Sequence, residues 1–167
     1  MRLHLGQNAP FTPMTDAWEA GSRTLGQVPG GREKARSIRA QVLANRTPPY
    51  SIRGGLYDAL LDGSGFMYRV SNTEAESAGL LFEQCEGIDI DPAAEVAVAS
   101  LIQAARRGRI RPRETVALNI TGGGSRRLRA ERQVGALRPD VSFTMGELSG
   151  DGPVAERELV RGALGYE

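Results

Sequence analysis

A threonine and three glycines follow an apolar run in residues 116–124, VALNITGGG. Glycines let a backbone approach a phosphate or a ring closely, and the hydroxyl of Thr121 can hydrogen-bond a ligand. The stretch lacks the Lys-Ser/Thr pair of a P-loop and the spaced glycines of a dinucleotide fingerprint. The competing interpretation is a turn that ends a strand. Thr121 is therefore a candidate ligand contact with a turn as the alternative.

Three carboxylates lie close together in residues 86–92, EGIDIDP, namely Glu86, Asp89 and Asp91. An aspartate just before a proline is typical of a helix start, where the helix dipole also favours negative charge. Asp89 and Asp91 alternate with isoleucines, which predicts that both aspartates face the same, wetter side. A divalent cation is disfavoured, because no histidine is near and the spacing matches no EF-hand loop.

A third polar group precedes a proline-containing loop near the N-terminus. Gln7 and Asn8 carry side-chain amides that could line a pocket, although a solvated loop is the favoured interpretation. His4, the only histidine, is predicted to be a partly buried structural residue, because no Ser/His/Asp arrangement can be assigned around it.

Length and composition exclude several classes of function. The chain has 167 residues, enough for one ordinary core, and 21 basic against 20 acidic residues, so no strong field attracts nucleic acid or a membrane surface. Cys85 is the only cysteine, which excludes an internal disulfide and a multi-cysteine metal site. There is no eighteen-residue apolar run and no signal-like segment at the N-terminus, so we expect a soluble, cytoplasmic protein.

Residues 1–65 are predicted to be a helical and loop segment that begins with a brief strand at 3–5. The prolines of residues 8–13 argue against a regular helix there. The helices predicted after them span residues 16–25 with Thr15 as N-cap, 32–45, and 56–61.

Residues 66–125 are predicted to form strand, helix, helix and strand, and hence an α/β fold with a parallel-type sheet flanked by helices. The aromatic and branched content of 66–70 favours a strand, and Thr73 with Glu76 has the spacing of a capping box for a helix that ends near Cys85. A short extended piece at 88–90 leads to a helix that Asp91 caps and Gly108 ends.

The last strand of this unit, 115–120, is almost continuously apolar, as in a strand covered on both faces. Ligands of such sheets bind beyond the carboxyl ends of the strands, which is where Thr121 lies. The C-terminal tail, 126–167, has weaker patterns: a basic stretch at 126–132, a strand at 141–143, a loop at 149–152 and a short helix at 156–164.

The run EGIDIDPAAEVAVASLIQAA, followed by ETVALNITGGG, resembles the last part of the large domain of fold-type II pyridoxal-phosphate (PLP) enzymes. Within that group, the segments LHLGQNAPFTPMTDAWEAG and SIRGGLYDAL make the resemblance strongest to cysteate synthases, which are related to threonine synthases. The resemblance covers roughly residues 3–125. It implies that residues 1–167 are a single, partial domain that corresponds to a C-terminal portion.

The resemblance implies PLP as the cofactor, with the Thr121 hydroxyl hydrogen-bonded to its pyridine nitrogen. Gly122 and the next two glycines would let the backbone pass the ring, and Glu86 and Gly87 would flank its other edge. A neutral hydroxyl does not hold the ring nitrogen protonated, which suits replacement at a β carbon. The implied reaction, a step in coenzyme M biosynthesis, converts O-phosphoserine and sulfite to L-cysteate and phosphate.

The cofactor lysine and the glycine-rich phosphate loop of these enzymes lie in an N-terminal portion that has no match here. Lys34 is the only lysine, and its place on a charged helical face predicts a solvated side chain rather than a catalytic one. No residue is assigned as catalytic, and the chain is expected to be inactive alone.

The partners implied are an amino-acid substrate, the N-terminal half of the enzyme or an intact homologue, and further copies of the chain. The alternatives are a fragment of a threonine synthase-like lyase and a non-catalytic remnant that acts as a binding module. An unpaired sheet edge, expected in either case, would favour association.

Overall fold

The structure, a computed structural model, describes residues 1–132 and Pro139. The chain divides into two units, Met1–Arg132 and Gln133–Glu167, and the described helices and strands all belong to the first. The strand predicted at 141–143, the loop at 149–152 and the helix at 156–164 lie outside the described residues.

The first unit has the predicted α/β class and a parallel pair of strands. Its strands are β1 (His4–Asn8) and β2 (Phe66–Val70). Its helices are α1 (Pro13–Glu19), α2 (Gly31–Ser37), α3 (Leu56–Asp62), α4 (Asn72–Glu86), α5 (Pro92–Arg106) and α6 (Ser125–Glu131), with a 3-10 turn at Gln41–Leu43. No helix within this unit combines the length and the apolar character that a bilayer crossing requires.

β1 and β2 pair in parallel, with His4 opposite Phe66 and Asn8 opposite Val70. Because side chains alternate along a strand, the pair presents two different faces. Leu5 and Met67 belong to one cluster with residues of α1 and α3, whereas Val70 belongs to the core formed with α4 and α5. Helices therefore cover both faces of the strand pair.

α5 packs closely against β1 at Gly6. A Cβ added to Gly6 would lie 2.1 Å from the Ser100 hydroxyl oxygen and 3.1 Å from Val96 Cγ1. Ser100 is buried, and its hydroxyl donates a hydrogen bond to the Val96 carbonyl over 2.8 Å. The bare backbone of Gly6 thus sets how closely α5 packs against the strand pair.

Two of the longer helices follow their sequence signals closely. α5 begins at Pro92 after Asp91 and is followed by Gly108 with φ +64°, as predicted. The capping box of α4 is formed by Ser71 and Glu74, not by Thr73 and Glu76: the Glu74 N–H donates to Ser71 Oγ over 3.2 Å. The prediction was two residues late because Ser71 keeps the extended backbone of β2 up to the cap.

The helices predicted before β2 are correct in part. The helix at 56–61 is confirmed as α3. The helix predicted at 16–25 instead begins at Pro13. The first turn tolerates a proline, because the backbone N–H that proline lacks would have no intrahelical partner there. Thr15 lies inside the helix rather than at its cap. The helix predicted at 32–45 ends at Ser37, since Ile38 turns to an extended conformation and is buried.

The prediction of a strand at 115–120 is wrong. These residues have no strand assignment, Val116 is 45% exposed, and Leu118 and Ile120 pack only partly buried against the core of α4 and α5. The partner of β2 is β1, which precedes it in the chain. An apolar run becomes a buried strand only beside another strand, and the described part of the chain places none next to 115–120.

The contact at Gly6 gives a test of this packing. We expect Gly6→Ala to lower the free energy of unfolding by about 1–3 kcal/mol, because the added methyl overpacks the contact with Ser100. Ser100→Ala should relieve much of that loss in the double variant, since it removes the nearest atom. Denaturant titration of the three variants measures the coupling. Strictly additive losses would contradict the proposed contact.

Candidate functional site

A cleft of about 1100 Å³ is bounded by β1, α5 and the segment 114–121. Its first wall is residues 1–6, and its opposite wall is residues 114–119 with Thr121. The α5 residues that line it are Ala93, Val96, Ala97, Ser100 and Leu101. The cleft therefore lies on the side of β1 that β2 does not occupy.

Thr121 is exposed on the wall of this cleft. Its side chain makes no hydrogen bond to another of the described residues, so the hydroxyl is available to a ligand in the cleft. Ile120, just before it, is half-buried against the core and anchors the chain on the protein side. The structure thus places the candidate ligand contact of the sequence on the wall of a concave surface.

The two motifs that the sequence shows separately, EGIDIDP and TGGG, lie directly against each other. The Asp91 N–H donates to the Gly122 carbonyl over 2.9 Å, and the Gly124 N–H donates to the Asp89 carbonyl over 2.6 Å. Between them, Ile90 and Gly123 form an antiparallel bridge. We call this set of backbone contacts between residues 89–91 and 122–124 the clasp.

The clasp explains the glycines without any ligand. A Cβ at Gly122 would lie 2.2 Å from Asp91 Oδ2, and one at Gly123 would lie 2.4 Å from the Asp89 carbonyl oxygen. Gly124 has φ +76°, a left-handed conformation that favours glycine. Residues 122–124 are therefore small because another stretch of the same chain passes close to them.

The carboxylate of Asp89 extends the clasp to α6. Its oxygens accept the backbone N–H groups of Arg126 and Arg127 over 3.0 and 3.2 Å, at the first turn of α6. The Arg126 N–H contributes most to lowering the pKa of Asp89; the Arg127 N–H and the Arg126 guanidinium act in the same direction, and burial opposes them. Asp89 thus caps α6 from a distant part of the sequence.

The prediction that Asp89 and Asp91 face the same wet side is wrong. Asp89 is only 6% exposed, whereas Asp91 is exposed at the N-cap of α5 and makes no side-chain capping bond. The period-two argument fails because only Ile90 of residues 88–90 takes part in a bridge. Among residues 1–132, no three His, Cys, Asp or Glu side chains form a metal-binding group.

Glu86 and Gly87 lie at the end of α4, just before the clasp. Glu86 is the last residue of the helix, and Gly87 is its C-cap with φ +72°. Both are exposed, and neither is among the described residues that line the cleft. Lys34, on α2, is half-buried and is likewise not one of the lining residues.

Gln7 and Asn8 hold the fold together rather than form a solvated loop, so that prediction is wrong. Gln7 is 5% exposed, and its Oε1 accepts the Thr15 N–H over 2.9 Å. Asn8 is 1% exposed; it donates to the Val70 carbonyl over 2.9 Å and accepts the Ala40 N–H over 2.9 Å. The Asn8 amide and the Gln7 carbonyl oxygen are thus bonded within the fold, and neither residue is among the described residues that line the cleft.

His4 is a cleft residue that the sequence pattern did not place there. Its Nδ1 lies 2.7 Å from the Tyr68 hydroxyl oxygen, and its ring stacks on that of Tyr68. Partial burial lowers the pKa of His4, and the charges of Arg2 and Arg109 lower it further. His4 is half-buried, as predicted, and the lowered pKa keeps it neutral at pH 7. The pairing of β1 with β2 determines the position of His4, and no local sequence pattern predicts that pairing.

The residues at the cleft fit one edge of PLP. An exposed hydroxyl at the wall suits a ring nitrogen, and the clasp fixes the backbone that carries it. In residues 1–132, the other requirements of the cofactor, a lysine and a phosphate-binding loop, are not found at the cleft. Among the described residues, the cleft thus offers the Thr121 hydroxyl to such a ring, and no lysine is among its lining residues.

No protein-family model matches this chain. Curated relatives do match it: it is 46% identical over 166 residues to the cysteate synthase of Methanoculleus marisnigri and 43% identical over 169 residues to that of Methanocella paludicola. The cysteate synthase of Methanosphaerula palustris is 56% identical over 125 residues.

These matches cover 97%, 99% and 73% of this chain. They span 38%, 38% and 29% of the three relatives. The resemblance to cysteate synthases is therefore confirmed over most of this chain, and the greater part of each relative lies outside the match.

The capping role of Asp89 predicts a pH-dependent stability. The folded pKa of Asp89 is below its ordinary value of about 3.9, so its stabilisation is present above about pH 4 and is lost as the pH falls through the folded pKa. We expect Asp89→Asn to lower the thermal midpoint by several degrees at pH 7, and the difference from the unmodified chain to shrink below about pH 4 and to disappear below the folded pKa.

Circular dichroism melts from pH 7 to pH 3 measure this difference, with Asp91→Asn as the matched control on an exposed carboxylate. An equal loss in both variants, or no loss in Asp89→Asn at pH 7, would show that Asp89 does not cap α6.

Proposed function

We propose that this chain, which is related to cysteate synthases along most of its length, supplies part of a PLP-dependent enzyme that makes L-cysteate from O-phosphoserine and sulfite. The observation that carries the proposal is the exposed hydroxyl of Thr121, held on the cleft wall by the clasp in a chain with these relatives. Because the chain spans 38% of the first relatives, a complementary portion of the enzyme completes the site.

Thr121 is proposed to donate a hydrogen bond from its hydroxyl to the pyridine nitrogen. When bound, PLP supplies the electron sink for β-replacement. A neutral hydroxyl leaves the ring nitrogen unprotonated, so the ring withdraws electrons less strongly than a protonated one. A weaker electron sink suits a reaction in which a good leaving group such as phosphate departs early. The clasp fixes Gly122 and thereby the orientation of Thr121.

Glu86 and Gly87 are proposed to flank the other edge of the ring. Two observations support this role. The two residues resemble the matching segment of fold-type II PLP enzymes, and they lie two to three residues before Asp89, which is part of the clasp. Gly87 has a left-handed backbone, and a Cβ there would meet no heavy atom within 4 Å among the described residues. Position 87 thus requires glycine because of its left-handed backbone conformation, not because neighbouring atoms exclude a side chain.

The complementary portion is proposed to bring the lysine and the phosphate-binding loop. Lys34 does not line the cleft, so it does not take the place of that lysine. We propose that the partner is the N-terminal portion of the enzyme or an intact homologue, in an assembly that can include further copies of this chain. Residues 1–167 then form one part of the large domain.

A non-catalytic binding module is the second candidate. The position of Lys34 away from the cleft favours it, because such a module needs no lysine of its own. The two candidates differ in whether the chain makes an active enzyme with its complement. A threonine synthase-like lyase has no comparable support among the three relatives.

We expect no specific covalent adduct of PLP at Lys34. Borohydride reduction of the chain with PLP, followed by mass mapping, should label Lys34 no more than it labels the urea-unfolded chain, because the side chain has no cofactor site around it. Labelling close to one PLP per folded chain at Lys34 would overturn the division of roles between this chain and its complement.

Thr121 is tested in a mixture of this chain with the unmatched portion of the Methanoculleus marisnigri cysteate synthase. We expect the mixture to form cysteate from O-phosphoserine and sulfite when PLP is added. Thr121→Ala should slow it about 10- to 100-fold, the cost of a hydrogen bond to a ring nitrogen, and Thr121→Ser should stay within a few-fold of the unmodified chain.

Ser125→Ala is the matched control, an exposed hydroxyl just beyond the glycines that does not line the cleft. A mixture that forms no cysteate would refute the proposed function. An active mixture in which Thr121→Ala behaves like Ser125→Ala would refute only the role of Thr121.

A further inference from the structure

We infer that the cleft takes up one β-strand of the complementary portion, paired with the open edge of β1 and seated against α5. The inference rests on the proposed function and deepens it, because it identifies the kind of segment that the partner contributes and the surface that receives it. Three features support it: the hydrogen-bonding pattern of β1, the volume of the cleft and the chemistry of its walls.

The ladder between the strands leaves one edge of β1 open. The Phe66 N–H donates to the Leu3 carbonyl over 2.8 Å, and the Ala9 N–H donates to the Val70 carbonyl over 2.7 Å. In a parallel pair alternate residues face the partner, so the odd-numbered residues of β1 bond to β2. His4 and Gly6 therefore direct their N–H and C=O groups towards the opposite edge.

That opposite edge faces the cleft. Residues 1–6 line it, whereas none of Phe66–Val70 is among its described lining residues. Unpaired backbone groups along a strand edge are a template for a further strand, and leaving them unpaired in a buried site is costly. A segment that fills the cleft must supply hydrogen bonds along β1.

The cleft is larger than one small molecule requires. Its volume of about 1100 Å³ exceeds the usual range of small-molecule pockets, about 300–1,000 Å³. Residues 1–6 line one wall and Thr121 lies on the opposite one, so a strand paired with β1 and a ring at Thr121 occupy different parts of the cleft.

The α5 wall favours an apolar occupant, although Arg2, Asp62 and Glu114 also line the cleft. Ala93, Ala97 and Leu101 of α5 are only partly buried and line the cleft, and Val116 on the opposite wall is 45% exposed. Strands buried in parallel sheets are apolar on both faces. An inserted apolar strand would cover these side chains and would give residues 115–120 the neighbour that their own strand-like pattern requires.

The occupant we infer belongs to the complementary portion of the enzyme. The match covers 38% of the first relatives, so the larger part of their length is available to supply it. A second copy is a poorer fit, because β1, HLGQN, has Leu5 as its only large aliphatic side chain.

A charge on the floor of the cleft tests the inference. Ala97→Asp leaves a solvated carboxylate in the free chain but buries it beneath an inserted strand, so we expect at least tenfold weaker binding of the unmatched Methanoculleus marisnigri portion. Ala105→Asp is the matched control, on the same helix at an exposed residue that does not line the cleft. Calorimetry measures both constants, and melts confirm that both variants fold.

A second pair of variants tests the edge itself. His4→Pro removes an N–H directed at the cleft from the first residue of β1 without removing a bond to β2. We expect it to weaken binding at least tenfold relative to His4→Ala, which loses the same Tyr68 contact and keeps the N–H.

The outcomes separate this inference from the proposed function. An active mixture in which Ala97→Asp binds as well as Ala105→Asp refutes the strand and leaves the function standing. The mixture could also bind tightly without forming cysteate. If Ala97→Asp and His4→Pro both weaken that binding, the result supports the inserted strand and refutes the proposed function. Absence of binding, or a dimer of the chain that Ala97→Asp dissociates, overturns the inference.

Discussion

The backbone groups that β1 directs away from β2 are the constraint on which the rest of this structure depends. Helices cover both faces of the strand pair, so the sheet is protected above and below but not along this edge. The edge opens into the cleft, and the segment that ends at Thr121 lies across it. The candidate ligand contact and the open edge are therefore parts of one surface, and whatever completes the sheet also closes the space around Thr121.

Local signals were enough to predict the elements that depend on few neighbours. β2 was predicted from its aromatic and branched residues, and α5 from Asp91 and Pro92, because these features act within one turn or one strand. The segment 115–120 was mispredicted for the opposite reason. Its apolar pattern indicates burial between strands, and burial depends on residues that the described chain does not bring beside it.

The candidate site was predicted as separate pieces. Thr121 was identified from the glycines after it and from the resemblance to PLP enzymes, but the clasp joins two stretches about thirty residues apart through backbone groups, which carry no sequence signal. Asp89 was predicted to be wet because a strand-like alternation was applied to a segment with only one bridged residue. The glycines serve that clasp, and this role is compatible with a ring passing on the cleft side.

We propose that this chain holds one edge of a PLP site and that a second portion completes it. Equilibrium dialysis of PLP tests this most directly, with three samples: the chain, the unmatched portion of the Methanoculleus marisnigri cysteate synthase, and their equimolar mixture. We expect the mixture to retain close to one PLP per pair and this chain alone to retain almost none. Stoichiometric retention by this chain alone, or a mixture that retains no more than the sum of its parts, would show that the two portions do not share the site.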